Sequence, residues 1–286
     1  FIFDTMPTKD VFVPWGMKGV EPPDNMIDKE DFIKRGERFA GTLNRVLRNA
    51  VNDVVKQIEA KPKITKREAN KILKSAMGDA FAVNLQESAK APLGASLGDG
   101  ITLGANQLEV ANAATGVELD KQTRKRLAKI TEAETIKFSK KIKAHYNVRV
   151  ADILGKGIEK GETIPQLTKR VQDWAGKAND PTRGTRAHAT MIARTETSRA
   201  AMRGQVAAYE ESGVVKGKQW LLAAGGCPYC KAFAKAYGKS ELGKPFVAKG
   251  TQLQSSAGIM KLDYEDIDGP PLHPNCRCGL IADLGV

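Results

Sequence analysis

All four cysteines of this 286-residue chain fall within its last 60 residues, in two short groups. Cys227 and Cys230 form the C-x-x-C pair of the segment CPYC. After 42 intervening residues, the segment HPNCRC supplies His273, Cys276 and Cys278. A C-x-x-C turn can place two thiolates on one zinc ion, and a second tight turn can complete a closed tetrahedron. We therefore expect one structural zinc site that joins the two turns.

Five candidate ligands compete for four places in that site. Cys227 and Cys230 are the firmest pair, because a C-x-x-C turn is a frequent zinc knuckle. The second pair comes from the other three residues: His273 and Cys276 have the same two-residue spacing, and a C-x-C pair can also chelate. Two disulfides between the groups, or free thiols beside a surface histidine, are the alternatives to a metal. Surplus donors favour a structural site, since a catalytic zinc leaves one position open.

The predicted fold class is α+β, with a mostly helical N-terminal body followed by a small zinc-stapled module of short strands. Residues 1–27 lack periodicity and predict an extended arm. Apolar residues at helical spacing predict a helical body over residues 28–214. From residue 215 to residue 286 strand-length runs, turn residues and the cysteines predict an α+β zinc-knuckle module, and KGKQWLL (216–222) is its first strand.

Local signals divide the helical body. Thr65 with Glu68, and Thr163 with Gln166, form capping-box patterns that mark helix starts. Pro92 and four glycines predict a flexible loop over residues 92–104. The predicted helices lie at about 28–59, 65–89, 104–115, 120–144, the residues just before Gly161, 163–176 and 186–212.

The charge of the chain is positive and unevenly distributed. Its formal net charge is +12 and its pI is near 9.5, which favours an anionic partner. Between residues 121 and 150 ten residues are basic and two are acidic. Such a segment predicts contacts to double-stranded DNA without sequence preference, although a solvated helix face is the alternative. The predicted DNA-binding residues are Lys121, Arg124, Lys125, Lys137, Lys140 and Lys141.

A dense charge pattern precedes the cysteine region. Glu196 and Arg199 are three residues apart, so they can pair on one helix face. We expect Arg194, Glu196 and Arg199 to lie at the junction with the zinc module, and a solvated ion pair is the alternative. No second carboxylate or histidine is placed to work with Glu196, so we expect no enzymatic activity. His145 and His188 are isolated in the sequence and are expected to be ordinary surface or core residues.

Several of these features together resemble the phage Mu F-like minor head protein family over about residues 100–286. The last element is the most specific, because PP-x-HP-x-CRC is rarely met elsewhere. One departure is AAGG at residues 223–226, where relatives often carry a charged turn. The features that carry the resemblance are ARTET at 193–197, Gly213, Trp220 on a strand, CPYC at 227–230 and GPPLHPNCRCGL at 269–280.

The resemblance implies a head-morphogenesis protein that acts in head assembly and in DNA packaging or delivery. Its implied partners are the portal, the major capsid protein and packaged double-stranded DNA, and its implied location is the inside of the phage head, with the host cytoplasm during assembly. No membrane contact is expected, because no run of about 18 apolar residues occurs.

Two rival hypotheses are a phage-delivered effector enzyme, either a nuclease or an ADP-ribosyltransferase-like protein, and a free zinc protein that binds nucleic acid. No H-N-H motif, paired acidic cluster or phosphate loop supports the enzyme. The zinc module lacks the aromatic and basic interleaving of a base-stacking platform, which disfavours the free zinc protein.

Overall fold

The computed structural model describes residues 29–110, 120–176, 185–274 and 276–285. Within these ranges the fold class is confirmed: the N-terminal part is helical, and a few short antiparallel strands follow at the C-terminus. The predicted arm at residues 1–27 lies outside the described residues. None of the described helices combines the length and the apolar character that crossing a bilayer requires.

Seven helices are described, and they account for most of these residues. In chain order they are α1 (Lys29–Glu59), α2 (Lys66–Ala76), α3 (Asp79–Val110), α4 (Lys121–Glu159), α5 (Ile164–Ala175), α6 (Arg186–Ser212) and α7 (Pro228–Tyr237).

The described strands are all short and lie in the C-terminal part. They are β1 (Gly217–Leu221), β2 (Lys239–Glu241), β3 (Thr251–Ser255), β4 (Gly258–Leu262) and β5 (Gly279–Asp283). β1 is the central strand of a three-stranded antiparallel sheet of order β2-β1-β5, and Trp220 on β1 is paired with Leu280 on β5. β3 and β4 form a separate antiparallel hairpin.

Both predicted capping boxes are confirmed. At the start of α2 the backbone N–H of Thr65 donates to Glu68 Oε2 at 2.9 Å, and the Glu68 N–H donates back to Thr65 Oγ1 at 3.2 Å. At the start of α5 the Thr163 N–H donates to Gln166 Oε1 at 2.8 Å. These pairs satisfy backbone donors that a helix start leaves without an intrahelical partner, so local sequence sets both boundaries.

The predicted flexible loop at residues 92–104 is wrong, because α3 runs through it. Gly100 and Gly104 serve close packing against α6 instead. A Cβ atom on Gly100 would lie 1.7 Å from the carbonyl oxygen of Ala201 on α6, and one on Gly204 of α6 would lie 1.9 Å from the carbonyl oxygen of Leu97. Tertiary contact therefore outweighs the low helix propensity of glycine here.

Two further helix boundaries also differ from the prediction. The helix predicted at residues 120–144 and the short helix before Gly161 are one helix, α4, in which Tyr146, Val150 and Leu154 are buried at helical spacing. The helix predicted at 65–89 is instead divided into α2 and α3 next to Gly78. Apolar spacing thus predicted the helices but not where each one is interrupted.

The chain divides into two compact units. One contains Leu93–Lys129 and Arg194–Val286, together with the start of α1 up to Lys34, and it includes every described strand and all four cysteines. The other contains Arg35–Pro92 and Ile130–Ala193. The predicted boundary near residue 214 stays a prediction about how the sequence is organised.

The second unit has an aromatic core that contains His145 and His188. The His188 ring stacks on Tyr146, with His188 Nδ1 3.2 Å from the Tyr146 hydroxyl oxygen, and its centroid is 4.8 Å from that of His145. Burial, followed by the nearby His145 and Arg149, lowers the pKa of His188 to about 3. His188 is therefore a neutral core residue at physiological pH.

The contact between α3 and α6 predicts the effect of one substitution. Gly100→Ala should lower the free energy of unfolding by about 1–3 kcal/mol, because the new methyl group has no room beside Ala201. Denaturant unfolding measures this change.

Gly98→Ala is the matched control, since Gly98 lies on the same helix and its Cβ would meet nothing within 4 Å. The control should be neutral or should stabilise the protein by up to about 1 kcal/mol. Equal stability of the two variants would contradict the close contact.

Candidate metal centre

The first cysteine turn is the start of helix α7. Cys227 is the N-cap residue, with extended backbone angles (φ −66°, ψ 164°), and Pro228 occupies the first turn. Proline suits this position, because its missing N–H would have no intrahelical partner. The backbone N–H of Cys230 donates to Cys227 Sγ at 3.4 Å. The helix start therefore turns both sulfur atoms toward the same point.

The second turn holds His273 in a defined orientation. The Cys276 N–H donates to the His273 carbonyl oxygen at 3.1 Å, which closes the turn. His273 Nδ1 lies 2.8 Å from the carbonyl oxygen of Pro274, so Nδ1 carries the proton and donates it there. Nε2 is then free as a ligand atom and lies 3.1 Å from Sγ of both Cys227 and Cys230. A hydrogen bond at the far ring nitrogen is how metal-binding histidines are oriented.

The two turns converge on Cys230. Its Sγ belongs to one group with Cys227 and His273 and to another with Cys276 and Cys278, and the ligand atoms of each group lie within 4.8 Å of one another. Cys230 Sγ is 3.6 Å from Cys276 Sγ. Bond lengths at tetrahedral zinc imply ligand separations of roughly 3.8 Å for two sulfurs and roughly 3.5 Å for sulfur and nitrogen. The cluster can therefore hold a metal ion, and both Cys276 and Cys278 lie within 4.8 Å of Cys230 Sγ as candidates for the remaining place.

The electrostatics of the cluster concentrate negative charge on two thiols. Hydrogen bonding with Cys230 is the main factor that lowers the pKa of Cys227, to about 4, and of Cys278, to about 3. Hydrogen bonds to its three cysteine neighbours, together with burial, raise the pKa of Cys230. Burial opposes protonation of His273, but its hydrogen bond with Cys227 raises its pKa overall. A cation placed among these groups would compensate the thiolate charge, since thiolates are the form that binds metal.

Two N–H groups outside the candidate ligand set influence the pKa of Cys278. The backbone N–H of Ala223 and the indole N–H of Trp220 both contribute to its low pKa. Trp220 is buried, and its indole nitrogen makes no hydrogen bond within the described part of the chain. Hydrogen bonds to ligand sulfur commonly orient a metal site and adjust its charge.

The cluster lies in the apolar core of the C-terminal part. Trp220 is in contact with Phe233 at 4.5 Å between ring centroids, and with Phe246 at 5.6 Å. Cys230, Cys276 and Cys278 are buried in the same core. Residues of the hairpin and of the final strand complete it: Leu253, Leu262, Ile267, Leu272 and Leu280.

A buried polar network ties the final strand to two helices of the same unit. Gln205 Nε2 on α6 donates to the Leu280 carbonyl oxygen at 3.0 Å and to the Tyr209 hydroxyl at 2.7 Å. Gln107 Nε2 on α3 donates to the same carbonyl at 3.3 Å, and Tyr209 donates to Gln107 Oε1. Since Leu280 follows Cys278 by two residues, these bonds fix the chain beside the second turn.

The predicted pair of Glu196 and Arg199 forms on α6, and it has a third member. Arg199 Nη1 is 2.6 Å from Glu196 Oε2, and Arg199 Nε is 3.6 Å from Glu265 Oε1. All three side chains are less than one fifth exposed. Burial opposes the charge on Arg199, but the two carboxylates raise its pKa overall. The arginine thus links α6 to the segment between β4 and β5, as a junction residue would.

The predicted DNA-binding residues all lie on α4 and are all exposed, in two groups. Lys121, Arg124 and Lys125 lie in its first turns, in the unit that contains the cysteines. There Arg126 Nη2 is 2.6 Å from Glu210 Oε2 on α6, so part of the basic segment forms an exposed ion pair with that helix. The other group, Lys137, Lys140 and Lys141, belongs to the second unit.

No protein-family model, curated protein or solved structure matches this chain. The resemblance to the phage family therefore stays a prediction from the motifs.

Sequence reasoning missed Glu265 and the buried Lys218. Lys218 Nζ donates to the Asp268 carbonyl oxygen at 2.7 Å, and burial lowers the pKa of its ammonium group. Nothing local in the sequence indicates the partners of Lys218 and Glu265, because they are set by folding.

We predict that Cys227→Ser destabilises the C-terminal part and leaves the helices of the second unit folded. A structural zinc contributes about 10–16 kcal/mol in finger peptides, and a small apolar core cannot replace that amount. Limited proteolysis followed by mass analysis should show cleavage after about residue 215 in the variant.

Lys231→Ser, at an exposed position of the same helix, is the control and should match the wild type. A Cys227→Ser protein that resists protease as well as the wild type does would show that the site is not structural.

Proposed function

We propose that this chain is a minor head protein of a tailed bacteriophage, associated with the portal and active in head assembly and in DNA packaging or delivery. Its C-terminal part is stabilised by one structural zinc ion. It acts inside the virion, reaches that place from the host cytoplasm during assembly, and contacts the portal, the major capsid protein and packaged DNA.

One observation carries the proposal: three motifs of the resemblance lie in one apolar core, and a fourth is on the helix that leads to it. The ARTET helix continues to Arg199, which contacts Glu265. Gly213 ends that helix with a positive φ of 68°. Trp220 packs on Phe233 of the CPYC helix. Trp220, the CPYC helix and the second cysteine turn share one apolar core, which a chance match of short motifs would not be expected to produce.

The donor set supports zinc as the metal. Thiolate and imidazole ligands at tetrahedral separations suit Zn²⁺ and disfavour Mg²⁺ and Ca²⁺, which prefer oxygen. Cys227, Cys230, His273 and one of Cys276 and Cys278 would hold it. Five donors for four positions leave no need for a water ligand, so we propose a structural role and no catalysis by this site.

The basic residues of α4 support a contact with packaged DNA. Lys137, Lys140 and Lys141 are exposed, and the four-residue step from Lys137 to Lys141 is one helical turn. If about four residues contact phosphates, the slope of log affinity against log salt should be roughly −3.6. A protein that meets DNA inside a filled head needs no tight site, because the local concentration is high.

The head assignment is tested by mass spectrometry of purified particles of the phage that encodes the chain. We expect peptides of this protein in DNA-filled heads, in fewer copies than the major capsid protein. Its absence from both procapsids and mature heads would contradict the assignment.

We predict that reversing Lys137, Lys140 and Lys141 to Glu weakens binding to double-stranded DNA and leaves incorporation into heads intact. Removing three phosphate contacts should make the salt slope shallower by about 2.7. Fluorescence anisotropy with a labelled duplex measures the slope, and complementation with the variant followed by particle analysis measures incorporation.

Lys61, Lys63 and Lys160 are the matched control, since they are exposed in the same unit and reversing them changes the net charge equally. If heads lose the α4 variant while its DNA binding is unchanged, this face docks on a protein and the DNA contact is wrong.

A further inference from the structure

The stretch of chain before the second cysteine turn is closed by a tyrosine hydroxyl. Tyr264 Oη donates to the carbonyl oxygen of Leu272 at 2.5 Å, and so joins two residues that lie eight positions apart. Leu272 is buried and directly precedes His273. Neither Tyr264 nor Leu272 belongs to the candidate ligand set, yet the bond between them acts on the backbone beside a candidate ligand.

The peptide groups on both sides of His273 are fixed. The Leu272 carbonyl and the His273 N–H belong to one planar peptide group, so the bond from Tyr264 sets the orientation of that plane. On the other side, the His273 carbonyl oxygen accepts the Cys276 N–H at 3.1 Å. The backbone of His273 is thus held at both ends, and its Nε2 lies 3.1 Å from two cysteine sulfur atoms.

Tyr264 is itself anchored by contacts that involve no candidate ligand. The next residue, Glu265, has its Oε1 3.6 Å from Arg199 Nε on α6, and both side chains are less than one fifth exposed. Three residues after Tyr264, the Ile267 N–H donates to the Val247 carbonyl oxygen at 2.9 Å. The fold therefore places the tyrosine hydroxyl independently of the metal, which is what a preorganised site requires.

The orientation of His273 matters because the candidate set has one donor more than a tetrahedral site needs. Both Cys276 and Cys278 lie within 4.8 Å of Cys230 Sγ. Zinc is held in structural sites by three cysteines and one histidine, and also by four cysteines. Ordering a side chain costs conformational entropy, so a histidine on a loose backbone would compete poorly with the surplus thiol.

We propose that Tyr264 is a positioning residue of the metal centre. Its hydrogen bond to the Leu272 carbonyl orients His273 and keeps Nε2 in the ligand set in place of the surplus thiol. Outer hydrogen bonds orient the ligands of many metal sites in this way. The inference rests on the proposed zinc site and deepens it, and it does not depend on the assignment to the phage head.

The test compares the wild type with Tyr264→Phe, as full chains, by X-ray absorption at the zinc edge and by competition with a chromophoric chelator. The wild type should show three sulfur neighbours and one nitrogen neighbour. Tyr264→Phe should lose most of the nitrogen signal, gain a fourth sulfur, and bind zinc about tenfold more weakly. Because Tyr264 is 37% exposed and the variant keeps its ring, the apolar core retains its packing.

Tyr229→Phe is the matched control, since it also removes one hydroxyl that donates to a backbone carbonyl. The Tyr229 hydroxyl binds the Ala257 carbonyl oxygen at 3.0 Å, in the turn between β3 and β4. Tyr229 is more deeply buried than Tyr264, so any general loss of stability should be at least as large in the control. The control should keep the nitrogen neighbour and bind zinc about as tightly as the wild type.

A second comparison asks whether Tyr264 acts through His273. His273→Ala retains four thiols, and in this background Tyr264→Phe should no longer change the affinity for zinc, because coupled residues give non-additive effects. Equal losses of affinity with and without His273 would overturn the proposal. If His273→Ala holds no zinc, the nitrogen signal of Tyr264→Phe decides alone.

The outcomes separate this inference from the zinc site on which it rests. A wild type with three sulfurs and one nitrogen, together with a Tyr264→Phe protein that keeps the same neighbours, would refute the role of Tyr264 alone. Four sulfurs in the wild type would do the same and leave the zinc site in place. A wild type that holds no zinc would refute the metal site and the inference together.

Discussion

The convergence of two short turns on Cys230 is the constraint on which the C-terminal part depends. One turn starts a helix and the other precedes a strand, and 42 residues separate them in the sequence. Closing such a loop costs chain entropy. Neighbouring thiols such as Cys230 and Cys276, whose sulfur atoms are 3.6 Å apart, gain little from one another without a cation. A metal ion bound by both turns offsets that cost, because its binding free energy becomes folding free energy.

The rest of the unit is connected to this point through few contacts. β5 follows Cys278 immediately, pairs with β1, and is fixed to α3 and α6 by Gln107 and Gln205. The same two helices approach so closely that glycine is needed at Gly100 and Gly204. Loss of the metal would therefore be expected to loosen β5 first, while the helix contact, which needs no metal, persists.

The sequence allowed the fold class, the capping boxes and the candidate ligands to be predicted, because each depends on local spacing. It failed where a distant contact decides the outcome. Gly94 to Gly104 have low helix propensity, yet they are helical because two of them pack against α6. Arg199 pairs with the predicted Glu196 and also with Glu265, which no local pattern indicates. The choice between Cys276 and Cys278 is likewise open, since both lie close to Cys230.

X-ray absorption at the zinc edge, on protein purified without chelators, tests the central claim most directly. The account predicts about one zinc per chain, with sulfur neighbours at about 2.3 Å and a nitrogen neighbour at about 2.0 Å. Three sulfurs and one nitrogen would assign His273 and one of Cys276 and Cys278. A protein that holds no zinc and whose cysteines are joined in disulfides, or a zinc ion with oxygen neighbours only, would contradict the account.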